Sequence, residues 1–215
     1  MTTLSKWRIN YPDRPIKLNE MLDNPFGEFE RWIVAANEDG VVEPNAMTIS
    51  TVIDNAVPDA RVVLLRHVSD KGFIFYTNYK SAKGQQLLQN NNMSAVFWWP
   101  QSHRQIRIMG KVSKIAREDS EQYFATRDRE TQIGAWASIQ SKPIENYGVL
   151  QNRLTEYEAK FKNIEVPCPP YWGGYILEPI EIEFWQGRHS RLHDRIVFTR
   201  DNIKTNDWQI SRLAP

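Results

Sequence analysis

Two hydrophobic rhythms alternate along the chain. Between Asn24 and Asn37, the residues Phe26, Phe29, Trp32, Ile33 and Ala36 recur at the spacing of one helix face. Asn24 can cap such a helix, Pro25 suits its first turn and Gly40 is placed to end it. A helix is therefore predicted from Pro25 to about Asn37. The rhythm then shortens. Strands are predicted at Ala46–Ile53, Arg61–Val68 and Phe73–Thr77, the last two joined by a turn at Ser69–Gly72. Ser81–Asn90 opens on a capping serine and reads as a helix. Met93–Trp99 and Arg104–Ile115 read as strands joined through Pro100–His103. Helices follow at Arg117–Thr126, at about Arg129–Ala135 and at Asn146–Phe161. In the last of these, Tyr147, Leu150, Leu154, Tyr157 and Phe161 keep helical spacing. Trp172–Leu177, Ile180–Gln186, Arg191–Phe198 and Trp208–Arg212 return to strand.

Strands that flank the helices and connect through tight turns argue for a mainly β, α+β architecture. The expected fold is an antiparallel barrel with peripheral helices, not a doubly wound sheet. The length, 215 residues, suits one domain over 25–215. Residues 1–24, polar and proline-bearing, are expected to form a flexible arm. No internal repeat or low-complexity tract is visible. Neither GxGxxG nor GxxxxGK[ST] occurs, so any bound phosphate must be held largely by side chains.

Composition narrows the functional classes. Lys+Arg number 27 against Asp+Glu 26, a net charge of +1, which gives no broad surface for nucleic acid or membrane. The single cysteine, Cys168, excludes an intrachain disulfide and fits a reducing compartment. It lies in VPCPPYWGG without basic neighbours, as a structural thiol would. No apolar run has the length of a signal-peptide core or a spanning helix, and the expectation is a soluble, cytoplasmic protein. Eight Trp and nine Phe fit a pocket for a flat ligand, a subunit interface or ordinary core, and composition does not choose among them.

Several constellations could carry chemistry. In IEFWQGRHSRLHDRIVF, Arg191, His193 and Arg195 alternate with Leu192, Asp194 and Ile196. On a strand they share one face and could hold a planar anion, although basic residues there more often mark a solvated edge. Arg61 and Arg66 lie five apart and point to opposite faces of a regular strand; the plain alternative is two cations reaching for water. Tyr123, Arg127 and Thr131 are spaced i, i+4, i+8. On a continuous helix they converge in a way that suits a phosphate; otherwise they are a solvated face. Lys83 on the first turn of a helix and Gln105 on a strand carry no signal alone. His189 and His193 stand i, i+4, but the segment reads as loop then strand and is crowded by arginines, so no metal site is expected. No G-x-S-x-G elbow points to a serine hydrolase.

FWQG, RLHDR and the terminal RLAP together resemble the C-terminal signature of the pyridoxine/pyridoxamine 5'-phosphate oxidases. Other matching segments follow in order from about residue 25. They are RVVLLR at 61–66, YTN at 76–78, the Ser81–Lys83 segment, RQIR at 104–107, YFATRDRETQIGAW at 123–136 and ASIQS at 137–141. The resemblance implies an FMN-binding split β-barrel, working as a homodimer with two sites at the subunit interface. It implies oxidation of pyridoxamine 5'-phosphate and pyridoxine 5'-phosphate by O2 to pyridoxal 5'-phosphate, with H2O2 and, from the amine, ammonia. By the same resemblance, FMN is contacted by Arg61, Val62, Val63, Leu64, Leu65, Arg66, Tyr76, Thr77, Lys83, Gln105, Trp185 and Arg195, with Gln140 and Ser141 reaching it from the partner subunit. Arg66, Tyr123, Arg127 and Thr131 would hold the substrate phosphate. Arg191 and His193 would flank the substrate ring as the catalytic pair, with His193 as a candidate proton acceptor. Arg66 stands where the family has Lys, Thr131 where it has Ser, and Ala82 where an Arg is common, which removes one phosphate ligand. Two rivals share these features. One is a phenazine-pathway flavin oxidase on the same fold, against which the Tyr123–Arg127–Thr131 set argues. The other is a non-catalytic protein that carries or senses a flavin or pyridoxal phosphate, against which Arg191 and His193 argue.

Overall fold

The computed structural model describes residues 9–53 and 56–215. Helix α1 spans Pro25–Glu38, and the Asn24 side chain accepts a hydrogen bond from the Phe26 N–H at 3.0 Å. A cap of this kind contributes about 1 kcal/mol. Gly40, at φ +82°, turns the chain out of the helix. The apolar stripe read from the sequence is the buried face: Phe26, Phe29, Trp32 and Ala36 all enter the main core.

Among the described residues, nine strands form one antiparallel sheet. They are β1 (Ala46–Ile53), β2 (Val57–Leu64), β3 (His67–Ser69), β4 (Gly72–Asn78), β5 (Asn92–Trp99), β6 (Arg104–Lys114), β7 (Trp172–Gln186), β8 (Asp194–Thr199) and β9 (Gln209–Leu213). Their order is β2-β1-β5-β6-β7-β4-β3, with β8 on β7 and β9 on β8. One edge of the long strand β7 pairs with β6. Its other partner changes along its length: β4 lies opposite Trp172–Leu177 and β8 opposite Glu181–Gln186. The sheet splits there. On β6 the register slips between Met109 and Gly110, where a Cβ on Gly110 would sit 2.1 Å from the Glu178 carbonyl oxygen. Only glycine allows that approach.

The region read as one strand, Arg61–Val68, is two. The chain leaves β1 after Leu64, and Leu65 N–H bonds to Asn45 O. Arg66 N–H then bonds to Ile74 O, and the chain joins β4 as β3. Changing partners interrupts the ladder at Leu65–Arg66. Likewise Trp172–Leu177 and Ile180–Gln186 are one strand, not two.

Helix α2 (Ala82–Gln89) is capped by Ser81, whose hydroxyl accepts from Gly84 N–H. Helices α3 (Arg117–Ala125), α4 (Arg129–Ala137) and α5 (Tyr147–Lys160) build a second, smaller core of Phe124, Ile133, Phe161, Val166 and Trp172. No helix among the described residues is long and apolar enough to cross a membrane. Part of the segment assigned to the N-terminal arm makes defined contacts. Tyr11 lies 4.7 Å from the His103 ring and 5.8 Å from the His193 ring, and Ile16 N–H bonds to Asp194. Residues 1–8 fall outside the described residues.

Candidate active site

A polar cleft of about 310 Å³ opens beside the point where β2 leaves β1. Val62, Val63, Leu64 and Arg66 form one wall; Tyr76, Thr77, Asn78 and Lys83 form the floor. Tyr123, Arg127 and Trp172 close it from the α3 side, and Gln140 from the loop after α4. The strand–turn–helix sequence β4–α2 delivers Thr77 and Lys83 together, and Lys83 Nζ donates to Thr77 Oγ1 at 3.4 Å. Gln140 Oε1 accepts from Thr77 Oγ1 and Asn78 N–H, both at 3.3 Å.

Three aromatic rings line the cleft nearly parallel. Tyr76 and Tyr123 stack with centroids 3.8 Å apart, and Trp172 lies 5.4 Å beyond Tyr76. Burial pushes the Tyr76 phenol up to about 12, so it meets any ligand as an O–H donor. The Arg127 guanidinium sits 4.7 Å from the Trp172 centroid, and its Nη1 is buried without a hydrogen-bond partner.

The cleft carries more cation than its own residues neutralise. Lys83 is 7% exposed, and burial, then the nearby Arg61 charge, lower its pKa. Burial likewise lowers Arg127, and the charge of Arg66 lowers it further. Like charges gathered in a partly desolvated cleft repel one another, and an anion among them relieves that repulsion. The buried, unpartnered Nη1 of Arg127 points to the same ligand, and a phosphate offers the acceptors it lacks. The residues present therefore fit a phosphorylated group, and FMN is one.

Arg61 is turned to a different set of partners. Its guanidinium bonds to Thr51, to Asp59 and, at 3.1 Å, to Gln86 Oε1, while Gln86 Nε2 donates to Asp59 at 2.9 Å. Asp59, Thr51 and Gln86 were not visible as site residues in the sequence, because each acquires its part only when β1, β2 and α2 meet.

A second cluster lies elsewhere on the sheet. The strand register sets Trp98, Gln105, Trp185, Arg195 and Leu213 in one row across β5, β6, β7, β8 and β9. None of them lines the cleft. Arg195 is bound through two nitrogens to Glu183, at 3.0 and 2.9 Å, and also donates to Ala214 O. Glu183 is 2% exposed and takes a further bond from Arg107 at 3.0 Å.

Two expectations about the site need correction. Arg191, His193 and Arg195 do not share a strand face. Arg191 belongs to a 3-10 turn, with Ser190 and Arg191 at φ 57° and 61°, and β8 starts only at Asp194. A left-handed turn breaks the period of two on which that reading relied. Tyr123, Arg127 and Thr131 do not share a helix face either, because α3 ends at Ala125 and α4 starts at Arg129. Tyr123 and Arg127 reach the cleft, whereas the exposed Thr131 spends its hydroxyl on Asp128 O at 2.8 Å. The Leu65 side chain is 5% exposed and packs in the main core. Gln140 bonds to Thr77 of its own chain, and Ser141, at φ 69°, is exposed outside the cleft. Asn78 and Trp172 were missed as cleft residues, and Trp172 carried no signal beyond its place at the start of a strand.

Residues 33–161 match the family model described as pyridoxamine 5'-phosphate oxidase. Residues 172–215 match the one described as the pyridoxine 5'-phosphate oxidase C-terminal dimerisation region. The chain is 45% identical over 215 residues to the pyridoxine/pyridoxamine 5'-phosphate oxidase of Burkholderia mallei (strain SAVP1), covering 100% of both chains. It is 46% identical, with the same coverage, to that of Burkholderia thailandensis. Among solved structures it is similar to PhzG from Burkholderia lata 383, in complex with tetrahydrophenazine-1-carboxylic acid, at TM-score 0.86 and 28% identity over 94% of this chain and 99% of that one. It shares its fold with a pyridoxamine 5'-phosphate oxidase-related, FMN-binding protein of Nostoc punctiforme PCC 73102, at TM-score 0.71 and 16% identity over 89% and 98%. The split sheet is thus the FMN-binding split barrel. With two family models in sequence order and full-length identity of 45%, the chain belongs to the pyridoxine/pyridoxamine 5'-phosphate oxidase family.

Proposed function

We propose that this protein is an FMN-dependent oxidase that converts pyridoxamine 5'-phosphate and pyridoxine 5'-phosphate to pyridoxal 5'-phosphate. O2 is the final acceptor and H2O2 the by-product, with ammonia released from the amine. The observation that carries this reading is the cation-rich cleft, with Arg66, Tyr123 and the unpartnered Arg127 Nη1 on one side and Lys83 with Thr77 on the other. FMN supplies the hydride acceptor. Lys83, Thr77 and Tyr76 hold its phosphate end, with Arg61 behind them. Arg66, Tyr123 and Arg127 take the substrate phosphate, so that binding energy far from the reacting carbon orients it.

The reading includes a homodimer. Val62, Trp98, Leu192 and Leu213 are exposed apolar groups, and the C-terminal residues match a dimerisation region. A second copy would bring the Gln105–Trp185–Arg195 row and the Arg191–His193 hairpin to the cleft of its partner. Localisation in the cytoplasm accords with the single cysteine.

The test is anaerobic mixing of FMN-loaded protein with pyridoxamine 5'-phosphate while following the visible absorbance of the flavin. Bleaching that air restores, with pyridoxal 5'-phosphate formed, is the expected outcome. A flavin that stays oxidised with both the amine and the alcohol refutes the proposal. The likeness to PhzG favours one second reading, oxidation of a planar tricyclic carboxylic acid. Bleaching by such an acid and not by the phosphorylated vitamers would select it.

A further inference from the structure

The hairpin between β7 and β8 fixes the protons of His193. Arg188 N–H donates to His193 Nδ1 at 3.1 Å, and Leu192 N–H bonds to His189 O at 3.2 Å inside the same loop. Ser190 and Arg191, both left-handed, fold the chain back so that these bonds can form. The Trp185 ring, 4.6 Å away, and the Tyr11 ring, 5.8 Å away, hold the imidazole in place.

A backbone N–H always carries its proton, so Nδ1 must offer a lone pair. A neutral imidazole has one N–H, which then lies on Nε2. A second proton could only go to Nδ1, where it would face the Arg188 N–H. Nothing nearby compensates for that. Among the described residues no carboxylate bonds to the ring. The adjacent Asp194 is already engaged by Ile16 N–H, Arg188 and Arg212. Burial, and then the Arg191 charge, hold the His193 pKa below the ordinary value of 6.5.

We infer that His193 is locked as the Nε2–H tautomer and serves the reaction as a hydrogen-bond donor, not as the proton acceptor its sequence context suggested. The inference rests on the proposed oxidase reading for its substrate. Arg191 and His193 then form a pair of donors, and the substrate group they meet is an acceptor. In oxidation of the alcohol, the C–H hydrogen leaves with its electron pair to FMN, and the O–H proton goes to water instead of to His193.

Two measurements test this. The first is 15N NMR of histidine-labelled protein, with and without FMN, using His193→Gln to assign the signal among the four histidines. A pyridine-type Nδ1 and a pyrrole-type Nε2 at neutral pH are expected. The opposite tautomer, or an imidazolium, overturns the inference. The second compares His193→Gln, whose amide nitrogen reaches the position of Nε2, with His193→Asn, whose amide reaches only that of Nδ1. The glutamine variant is expected to keep kcat/KM within about tenfold. The asparagine variant is expected to fall by about 10–100-fold, as for loss of one hydrogen bond to a charged acceptor. A general base would instead cost about 10²–10⁴-fold in both, and that result sinks the donor role. If no vitamer reduces the flavin, the oxidase reading fails while the NMR still decides the tautomer.

Discussion

The cleft and the sheet row treat their arginines in opposite ways. On the row, Arg195 and Arg107 converge on the buried Glu183. In the hairpin beside it, Asp194 takes up Arg188 and Arg212. Those cations arrive paired with carboxylates of their own chain. In the cleft, Arg127 keeps a buried donor without a partner, and Lys83 is buried beside Arg61. No carboxylate is among the residues that line the cleft. The two regions share one sheet, so the difference comes from which side chains meet and not from the fold. An anion belongs where the protein has left its own charges unanswered.

Breaking the imbalance gives the largest effect. Arg127→Ala removes a desolvated, charge-assisted donor and is expected to lower kcat/KM for pyridoxamine 5'-phosphate by about 100-fold, within the range for truncating one partner of a buried charge pair. FMN content should stay at the wild-type level, measured by flavin absorbance per protein. Equal loss of both would show that the cleft does not separate two anions.

Glu183→Gln attacks the balanced side. It leaves Arg195 and Arg107 facing a neutral amide. Because both are partly exposed, the expected cost is about 2 kcal/mol, below the 3–5 kcal/mol typical of a fully buried pair. Urea unfolding followed by far-UV circular dichroism would measure it. A variant as stable as the wild type would mean that Glu183 contributes no net pairing.

Lys83→Met sharpens the contrast further. FMN affinity should fall about tenfold for one lost charge-assisted bond, read by quenching of flavin fluorescence on binding. The melting temperature of the FMN-free protein should hold or rise, because a buried cation with a lowered pKa has been removed. A lysine that stabilised the FMN-free protein would melt the other way.

The smallest effect is a slope against pH. His193 has a lowered pKa in the folded protein, so the unfolded chain binds more protons as pH falls through 6.5. Wild-type stability should therefore decline toward acid in that window more than that of His193→Gln, and the two curves should run parallel above it. Denaturant titrations at several pH values would show the divergence.

Local signals carried much of the fold. The Pro25–Glu38 helix was legible because its cap, its first-turn proline and its apolar stripe agree within a few residues. Ala46–Ile53 was legible for a similar reason, as a short β-rich run. The site was less so. Periodicity placed Arg191 beside Arg195, but it cannot foresee a left-handed pair at Ser190 and Arg191. The break between α3 and α4 was legible as two short helices, and it is this break that takes Thr131 off the face of Tyr123. Spacing also could not reveal partners that arrive from afar. Asp59 and Gln86 meet around Arg61, and Gln140 meets Thr77, only after the sheet is assembled.

Strand β7 has a consequence for how the chain is born. Phe73 pairs with Leu177 and Tyr76 with Gly174, so β4 waits roughly a hundred residues for its neighbour. Until residue 172 has left the ribosome, Tyr76 and Tyr123 lack the ring that completes their stack, and Arg127 lacks the surface it rests on. The site thus comes into being late in synthesis. A nascent chain halted before that strand would carry most of the cleft's residues and have no cleft to hold them in.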